Sequence, residues 1–160
     1  MLWENGSFYE GTWEDGFITG FGVYIYPDGT TKFGEWKKNF MNGKGLYFDQ
    51  KISYDGEWKN DKRNGYGVEE NEANIKYSGY WMDGDKKKGK TTFPNGNWYE
   101  GEMFNNTRHG NGEMYYADKG LIYRGEWSSN VKCGMGEWVD LNGKVRQKGR
   151  FDNNLYVGPF

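Results

Sequence analysis

A slot for a large flat or flexible apolar side chain returns along this chain with almost clockwork spacing. Trp13, Trp36, Trp58, Trp81, Met103, Trp127 and Phe151 lie 23, 22, 23, 22, 24 and 24 residues apart. Two residues before each stands a glycine: Gly11, Gly34, Gly56, Gly79, Gly101, Gly125 and Gly149. With 26 glycines in 160 residues, seven coincidences by chance have a probability on the order of 10⁻⁶. A period this short means that one small supersecondary unit is repeated and that neighbouring units bury one another.

The spacing inside the unit is that of a strand. Tyr9, Tyr54, Tyr77, Tyr99 and Tyr123 lie four residues before the tryptophan slot, with Lys32 and Gln147 as exceptions. The unit therefore opens Tyr-x-Gly-x-Trp. Residues two apart share a face of a strand, so both rings flank the glycine on one side. Glu35, Glu57, Glu102 and Glu126 fall on the other side, which reads as solvent.

Three residues after the slot come Gly16, Asn39, Asp61, Gly84, Asn106, Asn130 and Asn154. These residue types best tolerate positive φ, and with Asp15, Asn60, Asp83, Asn105 and Asn153 before them they predict tight hairpin turns. The chain returns through Gly20-Phe21-Gly22, Gly43-Lys44-Gly45, Gly65-Tyr66-Gly67, Gly110-Asn111-Gly112 and Gly134-Met135-Gly136. Glycine weakens a strand unless something lies close against the backbone, and the neighbouring rings are the candidates. Pro27-Asp28-Gly29, Pro94-Asn95-Gly96 and Leu141-Asn142-Gly143 predict a second turn leading into the next unit. The expected fold is all-β, a single-layer antiparallel meander of tandem two-stranded hairpins.

Composition supports an ordered chain with an unusual core. Aromatic residues fill 19% of positions, apolar residues of all kinds only 35%, so flat rings must replace a deep aliphatic interior. Disordered chains are poor in such rings. The net charge of −2 gives no polyanion-binding signature, and no nucleic-acid partner is expected. Cys133 is the sole cysteine, and no secretion signal or long apolar run precedes the repeats, so the expected compartment is cytoplasmic.

Tyr54-Asp55-Gly56-Glu57-Trp58-Lys59-Asn60-Asp61-Lys62-Arg63-Asn64-Gly65-Tyr66-Gly67 closely resembles a consensus MORN (membrane occupation and recognition nexus) repeat. The resemblance extends over nearly the whole chain, residues 1–160. It divides into a half repeat at 1–8 and repeats at about 9–31, 32–53, 54–76, 77–98, 99–122, 123–146 and 147–160. It implies an elongated twisted ribbon, roughly 65 Å long at one strand spacing per strand, with an aromatic-lined groove. Members are mostly scaffolds, among them junctophilins, axonemal proteins and cortical cytoskeletal proteins of protists. Arrays are also appended to lipid kinases and a lysine methyltransferase. Residues 1–8 read as the last strand of a further repeat, as in a piece of a longer chain.

The resemblance implies a non-catalytic scaffold or adaptor in a cytoskeletal, axonemal (ciliary) or cortical assembly. The alternatives are a targeting module of a longer lipid-kinase-like or other enzyme, and an array that tethers membranes through anionic phospholipid. Its partner-facing row would be Tyr54, Trp58, Tyr77, Trp81, Tyr99, Tyr123 and Trp127. The guest would be an amphipathic helix or extended peptide, another such array, or a second copy in a homodimer. Packing is the plainer role for any single ring. Lys86, Lys87, Lys88 and Lys90 form the one concentrated basic run, either a solvated turn or a contact for an acidic peptide or anionic lipid. Lys88 and Lys90 are expected in the Gly-x-Gly seats of the fourth repeat, as a positive notch in the groove.

No catalytic, metal or cofactor site is expected. His109 sits between Arg108 and Gly110 in what reads as a turn, without an orienting partner, and Cys133 reads as an ordinary turn thiol beside Lys132. Choline-binding aromatic repeats offer a different class, but their clustered Trp-Tyr-Tyr pattern is not this one.

Overall fold

The computed structural model describes residues 1–159 and divides the chain into two compact units, Met1–Gly84 and a second from Asp85 onward. The first unit holds β1 (Phe8–Glu14), β2 (Phe17–Ile25), β3 (Thr31–Lys37), β4 (Phe40–Phe48), β5 (Ile52–Lys59), β6 (Lys62–Asn71) and β7 (Lys76–Met82). The second holds β8 (Asp85–Thr92), β9 (Trp98–Phe104), β10 (Thr107–Tyr116), β11 (Leu121–Ser128), β12 (Val131–Asp140), β13 (Val145–Asp152) and β14 (Leu155–Gly158). Within each unit every strand pairs antiparallel with its neighbour in sequence. The all-β meander is thus the observed architecture. The division falls in the turn of the fourth hairpin.

The hairpin turns have the chemistry their sequence demands. Both central residues take positive φ, as at Asn60 (48°) and Asp61 (64°) or Asn153 (46°) and Asn154 (68°). This is the type I′ geometry whose twist matches that of the flanking strands. The second turn residue also fastens one hairpin to the one before it. Asn154 Oδ1 accepts from Lys132 N–H at 2.9 Å, while Asn154 N–H donates to Lys132 C=O at 3.1 Å. Asn39 clasps Ile18, Asp61 clasps Met41, and Asn130 clasps Arg108 in the same two-way manner. The connecting turns at Gly29, Gly96 and Gly143 are closed and left-handed, as expected. At the amino end Leu2 bridges Phe8, and Trp3 to Ser7 repeat this turn pattern.

The core is built on glycine. In the first unit Gly11, Gly22, Gly34, Gly45, Gly56, Gly67 and Gly79 face one another strand by strand. In the second, Gly89, Gly101, Gly112, Gly125, Gly136 and Gly149 do the same. Tyr9, Tyr54, Tyr99 and Tyr123 each lie over one pair. A Cβ on Gly56 would stand 2.5 Å from the Tyr54 hydroxyl, and one on Gly67 would overlap the same ring. The hydroxyl donates to Glu57 C=O at 3.0 Å, and Tyr99 bonds Glu102 C=O in the same way at 2.7 Å. Where Lys32 replaces tyrosine, the Met41 methyl folds back over Gly45 instead.

The tryptophans tie neighbouring hairpins together. Trp58 Nε1 donates to Gly45 C=O and Trp36 Nε1 to Gly22 C=O, each at 3.0 Å, and Trp127 Nε1 to Gly112 C=O at 3.1 Å. Tyr54 stands edge-on between Trp58 and Trp81, with centroids 5.1 and 5.3 Å away and planes at 84° and 90°. Such edge-to-face pairs each contribute about 0.5–1.5 kcal/mol beyond their buried area. The alternation recurs through Tyr99, Trp127, Tyr123 and Phe151 in the second unit.

The two glycines of Gly-x-Gly have separate tasks, which the spacing alone does not reveal. The second belongs to the ladder. The first sits at a bulge with left-handed φ, as at Gly65 (99°), where the register shifts between Gly56 and Trp58. The strand-one glutamate spans this bulge on the outer face. The Glu57 carboxylate accepts from Tyr66 N–H, Glu102 from Asn111 N–H at 2.7 Å, and Glu126 from Met135 N–H at 3.0 Å. These acids are exposed or half-buried, as expected, but they also satisfy the backbone at the irregularity.

Burial raises the pKa of Tyr54 to about 12, and it raises those of Tyr9, Tyr99 and Tyr123 as well. A phenol that titrates higher in the fold than in the unfolded chain, where it titrates near 10, contributes stability that is complete below pH 10. That contribution is lost as pH climbs through the folded value. The urea midpoint is therefore predicted to fall between pH 10 and about 12, and the slow-titrating fraction of phenolate absorbance should appear together with loss of the β circular dichroism. Ionisation of every tyrosine near pH 10 with the fold intact would contradict the burial of these rings.

Candidate partner-binding face

Seven rings are expected from the sequence to meet a partner, and the structure places all of them in the floor. Tyr54, Trp58, Tyr77, Trp81, Tyr99, Tyr123 and Trp127 are buried, none more than 7% exposed. They line up on one face of each unit as the sequence implies. They are closed over by one another and by long side chains from the return strands, so a guest on this face meets those other groups first.

One such group stands cross-strand from five of the seven tryptophan slots. Ile18 faces Trp13, Met41 faces Trp36, Arg63 faces Trp58, Arg108 faces Met103 and Lys132 faces Trp127. The first two are apolar and buried. The last three are cations lying on rings. The Arg63 guanidinium is 4.9 Å from the Tyr54 centroid and 5.0 Å from that of Trp81. It also pairs with the Glu69 carboxylate. Arg108 lies 4.8 Å from Trp127. Lys132 Nζ lies 4.6 Å from Trp138, 4.8 Å from Tyr116 and 5.4 Å from Tyr123.

The second group is a row of half-buried rings on the return strands. Tyr24 and Tyr47 in the first unit and Trp138 in the second stand two residues beyond the ladder glycine, and Tyr26 and Tyr116 stand four beyond it. Trp3 stacks on Tyr24 at 5.4 Å, and Tyr24 meets Tyr26 at 4.6 Å with the planes tilted by 47°. Trp13 is 38% exposed. Phe21, Phe33, Tyr66 and Tyr80 are more exposed on the outer face, but on the tyrosine-bearing face these are the aromatic surfaces open to a partner. They escape a reading that stops at Gly-x-Gly, yet the pattern Gly-x-Gly-x-aromatic would have found Tyr24, Tyr47 and Trp138.

The basic run departs from expectation. Lys86, Lys87, Lys88 and Lys90 lie on β8, not in a turn. Gly89, eight residues beyond Trp81 where Gly67 is nine beyond Trp58, takes the ladder seat opposite Gly101, which sets Lys88 opposite Glu102 and Lys90 opposite Glu100. Both lysines therefore point to the outer face, away from the tyrosines, and form no notch in the aromatic face. Lys90 Nζ is 3.6 Å from Glu100 and 4.4 Å from the Trp98 ring. Lys88 borders a shallow outer hollow with Asn111, Glu113 and Arg124. Lys87 Nζ is 3.8 Å from Asp85, and Lys86 is half-buried.

His109 and Cys133 lie in strands β10 and β12 and not in turns. His109 is exposed beside the Phe104 ring, 5.6 Å away. The Cys133 thiol, opposite Glu126, is pushed up in pKa by burial and by the Glu126 and Asp152 carboxylates, the reverse of nucleophile activation.

A family model described as the MORN repeat matches residues 9–31, 33–50, 54–70, 99–121 and 123–145. No curated protein matches the chain. Among solved structures, it is similar to the TCP domain of Drosophila melanogaster SAS-4 (dCPAP), solved in complex with a proline-rich motif of Ana2 (dSTIL). That match has 18% identity and a TM-score of 0.49, covering 79% of this chain and 70% of that one. The E1021V mutant of the TCP10 domain of Danio rerio CPAP matches at 14% identity and a TM-score of 0.26, covering 94% of this chain and 98% of that one.

Because Lys88 and Lys90 project outward and the Lys90–Glu100 pair is largely exposed, changing both lysines to alanine is predicted to alter stability by about 0–1 kcal/mol. Urea unfolding of the double variant checks this. A loss of several kcal/mol would mean that these side chains pack into the aromatic face after all.

Proposed function

The chain belongs to the MORN-repeat family, and on that premise we propose that it is a non-catalytic scaffold that holds protein partners on the ring-bearing face of its hairpins. One observation supports the reading above others. In each unit half-buried rings, Tyr24 and Tyr47 in the first and Tyr116 and Trp138 in the second, stand on a closed aromatic floor, and among the described residues no second layer of backbone covers it. Part-exposed aromatic rings beside arginine are the composition of protein interfaces. A pleated, gently channelled surface of this kind suits an amphipathic helix or an extended peptide.

The proposal carries the cellular expectation with it: a cytoplasmic, cytoskeleton-associated assembly at a cilium, axoneme or cell cortex. No helix among the described residues is long and apolar enough to cross a membrane. Anionic lipid ranks below protein as a partner. Of the basic run that was its candidate, Lys88 and Lys90 share the outer face with Glu100, Glu102 and Glu113.

Affinity capture followed by quantitative mass spectrometry tests the reading. Three baits are compared: wild type, Tyr116→Ala with Trp138→Ala, and Lys88→Ala with Lys90→Ala, each checked for folding by circular dichroism. Proteins held by wild type should fall about tenfold or more on the ring variant, a loss of about 1.4 kcal/mol, and persist on the lysine variant. Partners retained by the ring variant, or lost from the lysine variant, would move the binding surface to the other face.

A further inference from the structure

The cation slot opposite the tryptophans is occupied differently in the two units. Arg63 carries its own counter-ion, since Glu69, six residues along the same strand, sets its carboxylate against the guanidinium. The position six residues beyond Lys132 is Trp138, and six beyond Arg108 is Met114. The second unit therefore keeps the cations and lacks the internal acid.

The consequence is a positive cradle without an anion. Lys132 is only 8% exposed. Among the described residues no carboxylate pairs with Lys132, Arg108 or Lys119. Arg108 donates through one terminal nitrogen to Asn130 C=O at 3.0 Å, while its Nε is buried without a hydrogen-bond partner. Lys119, in the turn after β10, brings its Nζ to 5.6 Å from the Trp138 ring, the ring on which Lys132 also lies. Burial, with the like charges of Lys119 and Arg108, lowers the pKa of Lys132 to about 8. It remains largely protonated at neutral pH, and the two charges that act on it, Lys119 and Arg108, are of its own sign. A buried cation held on ring faces alone is incompletely compensated, and an anion brought within reach gains a desolvated, charge-assisted contact.

Resting on the protein-binding reading above, we infer that the second unit recognises an acidic side chain of its partner, seated between Arg108 and Lys132 with Lys119 at the rim. The carboxylate takes the part that Glu69 plays for Arg63. A hollow floored by Leu121 and Trp138 and rimmed by Lys119, Arg146 and Gln147 lies beside it and takes an apolar neighbour of that acid. A protein carboxylate fits better than a lipid phosphate. Lys132 is 8% exposed among the Tyr116, Tyr123 and Trp138 rings, and a side chain can reach between them to it where the plane of a bilayer surface cannot.

The test uses the whole chain and a random twelve-residue peptide library displayed on phage, panned on wild type and on Lys132→Met. An apolar side chain fits this slot beside a tyrosine, because Ile18 fills the equivalent one in the first hairpin, beside Tyr9, at 5% exposure. Wild-type selections should converge on peptides with a fixed Asp or Glu next to an apolar residue. In the synthesised winner, Glu→Gln should weaken binding to wild type about tenfold or more and leave binding to Lys132→Met unchanged. Peptides that map to the ring-bearing face by NMR but carry no fixed acid overturn the inference and leave the protein-binding reading standing. Failure to select any peptide for that face overturns both. Co-sedimentation with phosphatidylserine vesicles that is lost in Lys132→Met, without an acidic preference among peptides, assigns the cradle to phosphate and also overturns it.

Discussion

Everything in this protein follows from a tyrosine ring resting on bare backbone. A sheet with one layer has no opposing sheet or helix against which to bury its apolar face. The chain solves this by bringing two glycines into register on adjacent strands and laying a ring across the gap, as Tyr54 does over Gly56 and Gly67. The ring reaches the main chain because no Cβ is in the way. The contact replaces the missing layer, and it converts glycine, normally a weak strand residue, into the one residue the position can hold.

Two further constraints grow from that contact. A glycine ladder offers no side chains to fix strand register, so register must be set elsewhere. It is set by the type I′ turns and by the clasps from residues such as Asn130 and Asn154 to the preceding hairpin. The rings, in turn, must be covered on their upper side. Long side chains at the slot opposite the tryptophan do this, apolar at Ile18 and Met41 and cationic at Arg63, Arg108 and Lys132. Arginine and lysine can cover a ring with their stems and keep the charge near its negative face. The interaction surface is therefore a by-product of the core: what closes the floor is what a partner touches.

Much of this was legible in the sequence, and the parts that were not have physical reasons. The period, the turns at Asn39 or Asp61 and the pairing of rings with glycine follow from residue types whose conformational demands are strong and local. The division of labour within Gly-x-Gly was hidden, because positive φ at Gly65 and close ring approach at Gly67 call for the same residue. The facing of Lys88 and Lys90 was misread for a related reason. One residue fewer in the fourth hairpin makes Gly89 the ladder glycine, and in a strand a shift of one turns every side chain to the other face. The accessible rings were missed because the most regular positions in a repeat are those the core needs, whereas Tyr116 and Trp138 sit at positions that vary from hairpin to hairpin.

The ring-over-glycine contact is tested most directly by a double-mutant cycle on Tyr9 and Gly22. The atoms nearest to a Cβ at Gly22 all belong to the Tyr9 ring, and Tyr9 lies in the first hairpin, so later hairpins keep their own rings. Urea unfolding is measured for Gly22→Ala, Tyr9→Ala and the pair. The account predicts that alanine at Gly22 costs about 1–3 kcal/mol beneath the intact ring and close to nothing once the ring is gone, a coupling well above the error of the method. Equal cost in both backgrounds would mean that the glycine serves the backbone alone and that the ring does not depend on it.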